Sequence, residues 1–174
     1  AIDDEAQNHQ LMLLHGAQGK GKSTFVRHLL PPELKDYYRN GMISPDNKDH
    51  LLQMSSCLLI NLDEFDTLSP ARMQELKSLI TQDVMNERKV YDIQNYTFIR
   101  RASFIASTNN PHCLPDIGEN RRILFNTLLE IDYHTPVNHQ GIYAQAYALY
   151  RQGFQYWYEN QEITFLNNRN EAFR

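Results

Sequence analysis

Gly16-Ala17-Gln18-Gly19-Lys20-Gly21-Lys22-Ser23 is the stretch on which the reading of the chain turns. It fits the pattern GxxxxGK[ST] in full, and each residue type in that pattern answers a need of phosphate chemistry. Glycines let consecutive backbone N–H groups curl around phosphate oxygens with no Cβ in the way. The lysine carries positive charge to β- and γ-phosphates, and the serine hydroxyl is a hard oxygen ligand for Mg²⁺. The context agrees with the pattern. Leu11-Met12-Leu13-Leu14 is a short apolar run that reads as a buried parallel strand, and residues 22–30 open as a helix that Pro31-Pro32 stops. Strand, glycine loop and helix come in the order that aims backbone N–H groups at an anion. The expectation is an Mg-ATP site of the P-loop type, with residues 16–23 and Thr24 around the nucleotide, Lys22 in catalysis and Ser23 on the metal.

Outward from this loop, Cys57-Leu58-Leu59-Ile60-Asn61-Leu62 reads as a second buried strand that ends in Asp63-Glu64. Ligands of open α/β sheets sit beyond the carboxyl ends of strands, so this acidic pair faces the glycine loop. Asp63 is expected to hold Mg²⁺ through water and Glu64 to polarise the attacking water, with Asp66 as a nearby carboxylate competing for the assignment. Phe104-Ile105-Ala106 reads as a third strand, leading into Ser107-Thr108-Asn109-Asn110-Pro111. An amide at Asn109 can hydrogen-bond both a γ-phosphate and the attacking water, the role called sensor 1 in AAA+-type ATPases. The plainer reading of Asn-Asn-Pro is a turn held by local hydrogen bonds. Before a further strand at Ile123-Leu124-Phe125 stands Arg121-Arg122. A guanidinium given to a γ-phosphate stabilises the transition state, and in ring ATPases it comes from the neighbouring subunit; otherwise loop arginines are simply solvated.

The remaining pattern fills in an α/β domain. Ser69-Pro70 reads as an N-cap followed by proline at the first helical position, with Met73, Leu76, Ile80 and Val84 on one face of the helix. Residues 33–50 are polar and turn-rich, a weak helix or a surface excursion. Residues 90–93 and 96–99 are expected to pair as a hairpin across Gln94-Asn95. From 142 to 158 aromatic residues recur at helical spacing (Tyr143, Tyr147, Tyr150, Phe154, Trp157), which reads as a helix face packed on the core ahead of any base-stacking role. Strands alternating with helices imply a mainly parallel sheet.

Composition bounds the rest. A chain of 174 residues is enough for one α/β domain and too short for two large ones. It begins with Ala1, so residues 1–10 read as a polar lead-in or a cut boundary, and 11–174 as a single ATPase domain of a longer protein. No apolar run approaches the roughly 20 residues that span a bilayer, so no membrane partner is expected. Two distant cysteines outside any CxxC pattern, with no signal peptide, suggest a reducing, cytoplasmic setting. No histidine or cysteine spacing suggests a structural metal. With a net charge of −4 the chain is not basic overall, so any polyanion contact belongs to one face or pore. Candidates for it are the local clusters Arg88-Lys89 and Arg100-Arg101, besides Arg121-Arg122.

At these residues the sequence resembles the ATPase domain of the virulence-associated protein E family, which is similar to superfamily 3 helicases and poxvirus-type primase-helicases of phages, plasmids and other mobile elements. The resemblance runs from Leu11 to about residue 160. It rests on the glycine loop, Asp63-Glu64, Leu76-Lys77, residues 88–91, and Arg101 leading into the strand that ends at Asn109. Its most diagnostic piece is Leu114-Pro115-Asp116-Ile117-Gly118-Glu119-Asn120-Arg121-Arg122, and Tyr143-Ala144-Gln145-Ala146-Tyr147 is similar to the family's closing helix. Two departures stand out: Glu119 interrupts the usual Gly-Asn-Arg-Arg, and Ile123 replaces an aromatic, which leaves open which of Arg121 and Arg122 points at nucleotide.

The resemblance implies a three-layer P-loop sandwich with a mainly parallel sheet, AAA+ and superfamily 3 helicase-like, closed by a C-terminal helix. It further implies an ATP-hydrolysing, helicase-like replication motor on single-stranded or forked DNA, a homo-oligomeric ring, and a primase-like domain in the same polypeptide. Residues 88–101 would then form a hairpin facing DNA in the ring's pore. Two other readings remain open, a nucleotide-gated DNA-binding or assembly module with little turnover, and a P-loop kinase.

Overall fold

Leu11 and Leu13 are fully buried while Met12 between them is 42% exposed, the alternation of a strand with one well-covered face. The computed structural model describes residues 8–63, 65–88, 95–114 and 120–174, the side chains of residues 87, 88, 95 and 96 excepted. In chain order its elements are β1 (Leu11–His15), α1 (Lys22–Arg27), β2 (Tyr38–Asn40), α2 (Lys48–Ser56), β3 (Leu59–Leu62), α3 (Pro70–Thr81), β4 (Val84–Arg88), β5 (Asn95–Ile99), β6 (Ser103–Thr108), β7 (Ile123–Thr127), α4 (His139–Arg151) and α5 (Asn160–Asn170). Five strands form one parallel sheet in the order β2-β3-β6-β1-β7. All five therefore present their carboxyl ends on one side, and the loops after β1, β3 and β6 gather there.

The sheet's two faces are unequally covered. Leu11, Leu13, Ile60, Leu62, Phe104, Ala106, Ile123 and Phe125 share a large core with Met54 of α2 and with Met73, Leu76, Leu79 and Ile80 of α3. The opposite face holds a small cluster of Leu14, Ile105 and Val26 of α1, with Phe25, Leu29 and Leu128 packed on it. Local chemistry starts the helices. Asn47 accepts from the backbone N–H groups of Asp49 and His50 at the start of α2. Ser69 accepts from Arg72 with Pro70 in the first turn of α3, and Asn138 accepts from Gly141 at the start of α4. Caps of this kind contribute about 1 kcal/mol each. Gly153, at φ 70, carries the chain into the left-handed region just past α4. None of the helices among the described residues is long and apolar enough to cross a membrane.

Four expectations need correction. The turn-rich segment 33–50 does hold a short 3-10 helix (Pro32–Tyr37), but also β2 and the start of α2; β2, at three residues, is too short for a period to show. Val84 does not continue α3: Gln82 is extended, and Val84 enters β4 with its side chain 44% exposed. A hairpin is present in which residues 96–99 pair with 84–87: β4 and β5 set Val84 against Ile99 and Arg88 against Asn95, while residues 90–93 lie outside the described residues. The aromatic helix does not pack on the core. Every described residue of α4 except His139 and Leu149 is exposed, including Tyr143, Tyr147 and Tyr150, as are Phe154 and Trp157 beyond it. Helical spacing identified the stripe; it carried no information on what the stripe faces.

Arg100, expected among the DNA-facing cations, is 1% exposed and structural. Its guanidinium donates to the carbonyls of Gln82 at 2.9 Å, Ala102 at 2.6 Å and Asn8 at 3.0 Å, and lies over the ring of Phe104. Burial pushes its pKa down, opposed by the nearby Asp83. One side chain thus ties the start of β6 to the hairpin's base and to the segment before β1. Arg100→Ala strands three carbonyls in the interior, and we expect it to cost about 2–4 kcal/mol in urea unfolding. A loss under about 1 kcal/mol would contradict the structural role.

Candidate active site

The loop between β1 and α1 is held at both sides by main-chain bonds. Gly16 N–H donates to the Thr108 carbonyl at 3.2 Å, and Leu128 N–H donates to the His15 carbonyl at 2.8 Å. Gly19 and Gly21 take φ 78 and 80, a region closed to most side chains. Gly21 is doubly constrained, since a Cβ there would lie 2.0 Å from a ring carbon of Tyr133. The loop floors a cavity of about 370 Å³ lined by residues 18–24, Ser107, Asn109 and Tyr133, a volume in the range of small-ligand sites.

Lys22 reaches across this cavity's edge. Its ammonium donates to the carbonyls of Gly16 at 2.5 Å and Ala17 at 2.9 Å, and to the Asn109 side-chain oxygen at 2.8 Å. Burial lowers its pKa, and the negative charge of Asp66 works the other way. Ser23 and Thr24 follow with exposed side chains. The structure therefore brings together two residues 87 positions apart that sequence reasoning had assigned to one site.

The acidic residues divide. Asp63 accepts from the amides of Asn40 and Asn61, the latter at 3.0 Å, and Asn61 also donates to the Asn40 side-chain oxygen at 2.6 Å. This carboxylate is oriented from the β2–β3 side. Asp66 instead accepts from the Thr108 hydroxyl and, at 3.1 Å, from the Asn109 backbone N–H, so it grips the end of β6. Glu64 lies outside the described residues. Asn110 serves the turn itself: its side-chain oxygen accepts from His112 N–H, and its backbone N–H donates to Thr108 Oγ1. Cys113 nearby is no nucleophile in waiting, since burial first of all pushes its thiol pKa up to about 11.

Arg121 and Arg122 sit elsewhere. They precede β7, whose first residue pairs with Leu11, and Leu11 N–H donates to the Arg122 carbonyl at 2.7 Å. The glycine loop follows the other end of β1, five residues or about 16 Å along the strand. Within one chain the two arginines are therefore at the opposite end of the sheet from Lys22. Arg121 is exposed and Arg122 half-buried, beside a polar anchor. Lys77 of α3, 2% exposed, donates to Asn120 Oδ1 at 2.7 Å, and Asn170 of α5 donates to the Asn120 and Ile123 carbonyls at 2.9 and 2.8 Å. Burial lowers the Lys77 pKa, and the positive charges of Arg122 and Arg174 lower it further. Residues 115–119, the middle of the diagnostic block, lie outside the described residues. So do Lys89 and the side chain of Arg88; Arg101 is exposed before β6.

Sequence reasoning missed several participants. Asn61 carried a signal: a polar residue between Ile60 and Leu62 in a buried strand needs a partner, and Asp63 is one. Lys77 carried the same signal on the apolar face of α3. Tyr133 carried none, because only the path of the chain after β7 puts it against Gly21.

Comparison with known proteins places this geometry. Three solved structures of the NrS-1 C-terminal region align with the chain. The apo structure of its residues 305–718 does so with a TM-score of 0.52 at 17% identity, over 96% of this chain and 36% of that one. Two A-form apo structures of the same region give TM-scores of 0.49 and 0.48 at 16% and 19% identity, over 97% of this chain and 35% and 36% of theirs. The chain spans about a third of the length of those structures, and at such identity the likeness is one of fold. No curated protein matches the sequence. A family model described as the Virulence-associated protein E-like domain matches residues 3–174, and the chain belongs to that family.

Proposed function

We propose that the domain binds Mg-ATP at residues 16–24 and hydrolyses it as the helicase-like motor of a phage, plasmid or other mobile-element replication protein working on DNA in the cytoplasm. The observation that carries the reading is the meeting of the Lys22 ammonium and the Asn109 amide, both of which line the glycine-loop cavity. A lysine that binds phosphate and an amide that can report on it are wanted side by side at that point.

The donor set suits Mg²⁺. Ser23 offers an exposed hydroxyl, and Asp63 follows β3 at the sheet's carboxyl end; hard oxygen ligands of this kind, few in number, fit an ion that keeps waters and phosphate oxygens. When bound, the ion would neutralise phosphate charge and orient the β- and γ-oxygens. The chain's own residues do the rest. Lys22 exchanges carbonyl partners for phosphate oxygens. Glu64 takes the proton of the attacking water, which Asn109 orients in line with the γ-phosphate. Asp63 is the metal carboxylate, and Asp66 is a positioning residue that holds Asn109 through its backbone N–H. Because Arg121 is exposed at the far end of the sheet, it supplies its charge to the nucleotide of a neighbouring copy, as a ring would require. A primase-like domain elsewhere in the polypeptide belongs to the same proposal.

Mg-ATP turnover with and without single-stranded DNA tests the reading. Lys22→Ala and Glu64→Gln should each lower turnover by roughly 10²–10³. Asp66→Ala, acting through Asn109, Thr108 and the charge beside Lys22, should lose roughly 10- to 100-fold, as outer-shell residues do. An unchanged rate in Lys22→Ala would end the proposal, and phosphate appearing on an acceptor would make the domain a kinase. The arginine has its own check. Lys22→Ala and Arg121→Ala chains should both be inactive alone, the latter by about 10³ or more, and should regain turnover when mixed. Mixing restores sites with an intact lysine from one copy and an intact arginine from the next. No recovery would remove Arg121 from the neighbour's site.

A further inference from the structure

Residues 128–139 form a strap beside the glycine loop, fixed at both ends, and Tyr133 within it lines the cavity. At the first end Leu128 is bonded to His15 and packs with Leu14, Val26 and Ile105. At the far end a ring nitrogen of His139 lies 2.7 Å from the His28 carbonyl, just past α1. Between them the Asp132 carboxylate closes a turn, accepting from His134 N–H at 3.1 Å, Thr135 N–H at 3.0 Å and the Thr135 hydroxyl at 2.6 Å. Those bonds, the hydroxyl's first, hold the Asp132 carboxyl below its ordinary range. The turn sets the half-buried Tyr133 ring against the backbone of Gly21, and the centroid of the tilted His134 ring lies 4.2 Å from that of Tyr133.

The rest of the described lining is glycine and polar side chains: Gln18, Lys20, Lys22, Ser23, Thr24, Ser107 and Asn109. These suit phosphates and sugar hydroxyls. A nucleobase needs a flat apolar partner for its face, and Tyr133 is the single aromatic ring among the described residues of the cavity. We propose that Tyr133 is the stacking platform for the base of a purine nucleoside triphosphate whose phosphates lie in the glycine loop. The assignment rests on the phosphate-site reading above and adds the base subsite to it. Stacking recognises a π-face rather than a hydrogen-bonding edge, so the subsite favours large bases over small ones without selecting adenine from guanine by itself.

Binding of a slowly hydrolysed ATP analogue and of inorganic tripolyphosphate, each with Mg²⁺ and measured by calorimetry on the whole chain, separates the two subsites. Tyr133→Ala should weaken the analogue roughly 5- to 150-fold, one base's stacking energy converted at about 1.4 kcal/mol per decade. Tripolyphosphate, which has no base, should bind Tyr133→Ala and the parent chain alike, and this doubles as the check that the variant is folded. Tyr133→Phe should keep the analogue's affinity. The proposal is overturned if Tyr133→Ala binds the analogue as the parent does, binds it more tightly because the ring was an obstruction, or loses both ligands equally. A parent chain that binds neither ligand overturns the phosphate site itself, an outcome distinct from the failure of Tyr133 alone.

Discussion

The Lys22 ammonium holds three parts of the chain to one point. It is nearly buried, at 8% exposure, and a buried cation is tolerable only where acceptors replace water. Two of those acceptors are carbonyls of its own loop and the third is the Asn109 amide at the end of β6. The loop's curl, the left-handed glycines and the β1–β6 pairing are all conditions for that set of distances. Asp66 extends the arrangement, holding Asn109 by its backbone while its charge opposes the loss of the lysine's proton. The site is thus a charge-balanced junction between loop, helix and two strand ends. Its geometry is enforced by the sheet and not by the loop alone.

Much of this was legible in the sequence because it rests on short-range chemistry. The glycine spacing, the apolar runs before Gly16, Asp63 and Ser107, and the Ser69-Pro70 cap each encode local structure within a few residues, and each lies where expected. What escaped depends on partners far away in the chain. Arg100 looked like a surface cation beside Arg101, yet three carbonyls from separate segments bury it. Met73, Leu76 and Ile80 do share the buried face of α3, and Val84 continues that period only by coincidence, since a strand beginning there can share the spacing of the helix before it. The aromatic stripe of α4 was recognised as a stripe, but a period gives the direction of a face and no knowledge of its neighbour.

The parallel sheet has a consequence that single residues do not show. Every strand's carboxyl end lies with the glycine loop, and every amino end lies with Arg121. A five-residue strand separates the two sets, and no side chain on one can reach the other. The anchor beneath Arg121 is nevertheless costly to build: Lys77 is buried and donates to the neutral amide oxygen of Asn120, and Asn170 is brought from α5 to satisfy the carbonyls of Asn120 and Ile123. A solvated surface turn does not need that investment. Buried polar groups that fix an exposed arginine at the edge of a domain make sense when the arginine must present itself to something outside it, at a set distance and angle. The fold sets the glycine loop at one end of the sheet and Arg121 at the other, the separation that the proposed division of the reaction between copies needs.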